Sequence, residues 1–119
     1  MMYSDHMPEI SYDDFAKLDI RIGTVVAAEL VPETDKLIKC NVDFGDPLAG
    51  GGQRTIVSGI AQWKTPESLV GRQFPYVVNL APRVLRGVES QGMLLAASDE
   101  NGVALLQPER LVPPGTKLH

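Results

Sequence analysis

From Ile20 to Leu30 the chain repeats with a period of two. Ile20, Ile22, Thr24, Val26, Ala28 and Leu30 fall on one face, and Arg21, Gly23, Val25, Ala27 and Glu29 on the other. Successive side chains of an extended strand point to opposite sides, so this run predicts a long first strand, ended by Pro32. It commits the chain to a sheet.

The alternation recurs downstream. Ile38, Cys40, Val42 and Phe44 against Leu37, Lys39, Asn41 and Asp43 predict a second strand, followed by a flexible loop over Gly45 to Gly52. A third strand is expected near Arg54 to Ile60, and a fourth where Phe74, Tyr76, Val78 and Leu80 alternate. Gly92 to Ser98 supplies a fifth; the turn Asp99-Glu100-Asn101-Gly102 then leads to a short strand over Val103 to Leu106. Two short helices are signalled. Ser11 offers an N-cap ahead of Asp13, Asp14, Phe15 and Leu18, while Thr65-Pro66-Glu67-Ser68 is a helix start, with Thr as cap, that Gly71 ends. Five strands with one short helix between the third and fourth is the order of an all-β, five-stranded OB-fold, a partly open Greek-key barrel. A five-stranded barrel without nucleic-acid affinity is the alternative. Pro108, Pro113, Pro114 and Gly115 make the C-terminal extension irregular.

A chain of 119 residues is one domain. It buries about two-thirds of its unfolded surface, so no disulfide or metal staple is required. Residues 1–10 have no periodicity and are expected to form a flexible arm; residues 11–119 form the domain. No apolar run approaches the ~20 residues of a membrane span, and the start lacks the basic and apolar regions of a signal peptide. Cys40 is the single cysteine, which excludes an internal disulfide and a cysteine-based zinc site. A cytoplasmic location follows as the default.

The formal net charge of −4 at pH 7 argues at first against a nucleic-acid partner. Its distribution reverses that. Residues 1–20 carry Asp5, Glu9, Asp13, Asp14 and Asp19 against Lys17, which is the whole excess. Within the neutral remainder, Arg54, Lys64, Arg72, Arg83 and Arg86 face only Glu67 over residues 54–88. A phosphate responds to the local patch and not to the mean.

No constellation for catalysis emerges. The two histidines, His6 and His119, lie in the chain ends, which argues against a Ser-His triad, and with one cysteine they form no metal-ligand cluster. Gly50-Gly51-Gly52-Gln53-Arg54-Thr55 shares only glycines with a phosphate loop, because it lacks the Gly-Lys-Ser/Thr ending. The expectation is a binding module, not an enzyme, with no catalytic residue, metal or cofactor.

Candidate binding residues sit at strand ends. Lys36 begins the second strand at a loop, where a lysine reaches a backbone phosphate or is an ordinary solvated charge. Asn79 to Gly87 form a Pro-fixed turn bearing Arg83 and Arg86; the planar guanidinium fork suits phosphate. Asn79 either contributes to that surface or satisfies turn backbone groups. Ser90-Gln91-Gly92-Met93 offers a hydroxyl, an amide, a bare backbone and a soft thioether, although Met93 fits a core position equally well. Trp63 and Tyr76 read as packing residues, and with only seven aromatics the chain suits a shape reader better than a stacking-dominated single-strand binder.

Six blocks in order resemble a known family: Phe15-Ala16-Lys17-Leu18-Asp19-Ile20-Arg21-Ile22-Gly23, Asp35-Lys36-Leu37, Val57-Ser58-Gly59-Ile60, Leu69-Val70-Gly71-Arg72, Val78-Asn79-Leu80-Ala81-Pro82-Arg83 and Ser90-Gln91-Gly92-Met93. They look like the tRNA-binding OB domain found at the C-terminus of bacterial methionyl-tRNA synthetase and in free-standing tRNA-binding proteins. The resemblance implies an accessory module that binds the outer corner of L-shaped tRNA by shape, as a homodimer, with an aminoacyl-tRNA synthetase as a candidate partner. By motif it assigns tRNA contact to Lys36, Asn79, Arg83, Ser90 and Met93. The tail, Leu105-Leu106-Gln107-Pro108 and Val112 to Lys117, resembles the related CsaA-type export chaperone, which makes a chaperone or protein-interaction module the alternative. Leu105, Leu106, Leu111 and Val112 give that tail more apolar side chains than a free tail should expose, and a dimerisation role is expected for it. A length of 119 residues leaves no room for a synthetase catalytic segment, so the chain is not expected to charge tRNA by itself.

Overall fold

A computed structural model describes residues 7–119; the expected flexible arm therefore falls largely outside the described residues. A four-residue helix, α1 (Tyr12–Phe15), is capped as anticipated, the Asp14 N–H donating to Ser11 Oγ at 3.1 Å. Nine strands follow: β1 (Ile20–Leu30), β2 (Ile38–Asp43), β3 (Gln53–Ser58), β4 (Gln73–Val77), β5 (Arg83–Leu85), β6 (Val88–Ser90), β7 (Met93–Leu94), β8 (Ala96–Asp99) and β9 (Gly102–Leu105). Five of them form one antiparallel sheet in the order β3-β2-β1-β4-β7, curled into the barrel that the alternation predicted.

The long first strand serves two partners. Its first half pairs with β4 and its second with β2, Thr24 taking part in both ladders. Between Val25 and Ala27 the register slips by a β-bulge, which bends the strand from one side of the barrel to the other. On the other edge of the strand the β4 side continues beyond Gln73: Val25 N–H donates to Arg72 O (3.0 Å) and Gly71 N–H to Val25 O (2.8 Å). The bulge also corrects the simple two-face reading. Val25 is buried in the core, Val26 is exposed, and Ala28 packs back onto the core from the opposite parity.

The core is filled from β1, β2, β3 and β4 by Val25, Ile38, Val42, Ile56, Phe74 and Tyr76, with Phe44 set edge-on to Tyr76 at 5.5 Å. Leu69 joins them at 1% exposure from a short 3-10 turn, Pro66–Ser68, which stands where a helix was expected. Thr65 does not cap that turn with its side chain; Ser68 Oγ donates to the Thr65 carbonyl instead. Burial pushes the Cys40 thiol up to about 11 and the Tyr76 phenol still further, so both core acids stay neutral.

All five residues of β4 are buried, against the expected alternation. One of its faces meets the core; the C-terminal extension covers the other. Residues 115–118 pair with the edge of β1 that β2 leaves open: Ile22 N–H donates to Thr116 O (2.8 Å), Gly115 N–H to Ile22 O (2.7 Å) and Leu118 N–H to Ile20 O (2.8 Å). Gln73, only 5% exposed, works like a missing stretch of backbone: Nε2 donates to Val112 O (2.7 Å) and Thr24 Oγ1 (3.0 Å), and Oε1 accepts from Val112 N–H (3.1 Å). Gln73→Ala leaves both Val112 groups without their partner. It should lower stability by about 1–3 kcal/mol in urea unfolding, with amide exchange accelerated first over residues 112–118.

Candidate nucleic-acid interface

The expected fifth strand is broken. β7 keeps two residues on the barrel, β8 departs to pair with β9, and an unanticipated hairpin, β5–β6, precedes them. The break falls after Leu95, whose N–H still donates to Pro75 O (3.0 Å), while a clasp between β3 and residues 90–91 shuts the barrel just before β7. Gln91 N–H donates to Thr55 O (2.8 Å), Thr55 N–H to Gln91 Oε1 (3.0 Å), and Val57 N–H to Ser90 Oγ (2.9 Å). Ser90 in turn donates to Gly92 O at 3.1 Å. Only glycine suits position 92, where a Cβ would stand 3.0 Å from Ile56 Cδ1 and 3.1 Å from Val77 O, at φ +156°.

Beside this clasp runs an open groove of about 560 Å³. Its walls come from Trp63, Arg83, Leu85 and Met93, with Ser58 and Ile60 at the end of β3 and Ala96, Ser98 and Asp99 on β8. Arg83 and Met93, two of the expected contact residues, therefore meet here, and both are exposed, Met93 by 46%. They also share a smaller recess with Ser90. Lys36 lies outside the groove but is fixed near it. Its carbonyl accepts from Ala61 N–H (3.0 Å), two residues before Trp63, and its own N–H donates to Thr34 Oγ1 (3.1 Å).

Ser90 and Asn79 occupy a different kind of position. Ser90 is 5% exposed, with its hydroxyl committed to Val57 and Gly92. Asn79 spans from the end of β4 to the α1–β1 link: Oδ1 accepts from Asp19 N–H (2.8 Å) and Nδ2 donates to Lys17 O (2.7 Å). Neither lines the large groove.

The basic stretch divides the same way. Arg54 donates to the Val78 and Gln91 carbonyls and lies 5.8 Å over the Phe44 ring. Arg72 lies 5.1 Å over Phe74 and donates to Gln107 Oε1 and Ser68 O. Both are struts. Among the described residues, Lys36, Lys64, Arg83 and Arg86 form no ion pair and no side-chain hydrogen bond. Arg86 stands at the tip of the β5–β6 hairpin with φ +51°, followed by Gly87 at +80°, the positive pair that a two-residue hairpin turn demands. Trp63, expected to be a packing residue, is instead half at the surface. It is 49% exposed, and the signal was present: a lone indole between Gln62 and Lys64 in a turn.

Among the described residues no group of three or more His, Cys, Asp or Glu side chains could hold a metal ion, and no helix is long and apolar enough to cross a membrane.

Residues 20–117 match the family model described as "Putative tRNA binding domain". The chain belongs to the tRNA-binding domain family. Its members among curated proteins include methionine–tRNA ligases, such as those of Deinococcus radiodurans (53% identical over 92% of this chain) and Archaeoglobus fulgidus (51% over 92%). The chain spans only 15% and 16% of those two proteins. Solved relatives include a MetRS-related protein from Pyrococcus horikoshii, 44% identical at TM-score 0.86, with 95% of this chain and 100% of that one aligned. Chaperone CsaA from Bacillus anthracis is 34% identical at TM-score 0.82, with 94% and 100% covered. In this tRNA-binding domain the Ser90 hydroxyl is part of the clasp. Ser90→Ala leaves the Val57 N–H buried without an acceptor, so it should cost about 1–3 kcal/mol in thermal unfolding. Arg83→Ala should leave the melting temperature within about a degree, as exposed surface changes do.

Proposed function

We propose that this chain is a structure-specific tRNA-binding module, free-standing or accessory to methionyl-tRNA synthetase, that grips the outer corner of tRNA. The observation that carries the reading is the set of four unengaged cations in a domain of the tRNA-binding family: Arg83 lines the groove, Lys64 and Arg86 each follow a residue that lines it, and Lys36 is bonded through its carbonyl to Ala61. Arg83 and Arg86 ride on the hairpin and Lys36 on a loop held by Thr34 and Ala61, so the backbone positions that carry the charges are set by the fold. Charges placed in this way read the path of a folded RNA backbone and not its sequence. In this reading Lys36 and Arg83 touch phosphate and Met93 packs on sugar or base. Ser90 and Asn79 act through position, one by closing the barrel and the other by tying β4 to the α1–β1 link.

The same reading includes a homodimer. Tyr12, Phe15 and Leu18 around α1 adjoin Leu118 in one recess; Ile22, Pro75, Leu106 and Val112 line a second with Leu118. Their joint apolar surface, with Tyr12 77% exposed, is the face a second copy would cover. Static light scattering at micromolar concentration should give twice the chain mass; a monomer would refute this part.

Neutralising about three to five phosphates predicts a log–log salt slope of roughly −3 to −4.5 for tRNA binding. Lys36→Ala and Arg83→Ala should each weaken binding and flatten the slope by about 1. Equal, weak binding to tRNA and to unstructured RNA across the salt series would overturn the shape-reading module.

A further inference from the structure

We infer that the groove beside Trp63 is a slot for one unstacked nucleobase of the bound RNA, with the adjoining phosphate on Arg83. The inference rests on the tRNA-binding reading and deepens it.

Trp63 is the single tryptophan, and half of it faces solvent at the groove wall. Leaving an indole that exposed forgoes part of the burial it would gain in a core, roughly 25 cal/mol per Å² of apolar surface. Part of the ring is nevertheless packed: Gly102, the first residue of β9 at φ +115°, sits so close that a Cβ there would stand 2.7 Å from Nε1 and overlap Cδ1. An indole packed on one part and accessible on the rest is a stacking platform, and every base has a face that fits it. Tyr76 offers no such face, being 2% exposed and packed against Phe44.

The rest of the groove suits the same guest. Ala96 and Ser98 of β8 are small and leave space, and the total of about 560 Å³ lies within the usual range for small-molecule sites, ~300–1,000 Å³. Met93 adds a polarisable thioether for a second apolar contact. Ser58, Ser98 and Asp99 supply hydroxyls and a carboxylate for a base edge. The Asp99 carboxylate, held through Oδ1 by Asn101 N–H at 2.9 Å, repels phosphate from its own vicinity and leaves Arg83 as the group that receives it. An apolar peptide side chain would fill the walls but gives Arg83 and Asp99 nothing.

The full chain, titrated with a transcribed tRNA, tests this through its own indole. Stacking should quench Trp63 emission and shield it from acrylamide, in step with binding followed independently by anisotropy of labelled tRNA. Trp63→Ala should weaken tRNA binding on the order of tenfold, while Trp63→Phe, which keeps a ring against Gly102, should bind within about threefold of wild type. Saturating tRNA that leaves Trp63 emission and accessibility unchanged, with Trp63→Phe and Trp63→Ala binding alike, would overturn the slot and spare the tRNA reading. Absence of tRNA binding by the wild-type chain would overturn both. Quenching by an extended apolar peptide that tRNA does not displace would assign the groove to protein clients.

Discussion

A five-stranded sheet in the order β3-β2-β1-β4-β7 has two edges, and everything else in the molecule depends on how they meet. They do not meet by a continuous backbone ladder. Side chains finish the job: Gln91 Oε1 and Ser90 Oγ accept the Thr55 and Val57 N–H groups, and the Arg54 guanidinium bridges from β3 to the Val78 and Gln91 carbonyls. Unpaired edge groups would otherwise be either buried at a cost or available to another chain. Residues 90–91 are held against β3 and residues 93–95 against β4, and on either side of that stretch the chain leaves the sheet as β5–β6 and β8–β9. Those two hairpins, with the Trp63 turn, wall the groove. Barrel closure and site formation are one event.

The barrel was legible in the sequence where burial is one-sided. Alternation over residues 20–30 and 38–44 located β1 and β2 because water or core waits on each face. It misled in two places for physical reasons. In β1 a bulge between Val25 and Ala27 exchanges the inner and outer parity, and nothing local to those residues signals it, since it is set by the register with β2. In β4 both faces are covered, the outer one by a segment more than thirty positions later, so burial is continuous. The expected fifth strand is split because residues 93–95 pair with β4 while Ala96 to Asp99 pair with β9, a change of partner that no period encodes.

The candidate site was half legible. Motif resemblance led to Arg83 and Met93, which the fold brings to one groove, and to Ser90, which the fold hides beneath it. Counting cations overstated the patch, because Arg54 and Arg72 look like any other arginine until their stacking on Phe44 and Phe74 is seen. Trp63 reads as a packing residue because tryptophan is highly buried on average; its contact with Gly102, distant in sequence, is visible only in the fold.

The pairing of residues 115–118 with the start of β1 brings the last residues beside α1, where Tyr12, Phe15, Leu118 and His119 share one recess. None of these four borders the groove. A domain whose first helix and last residues lie side by side, apart from the groove, is suited to circular permutation. New termini opened at the exposed Leu48 loop, with residue 119 linked to the start of α1, would keep clasp and groove in one uninterrupted stretch. The barrel is, in that sense, a portable cassette.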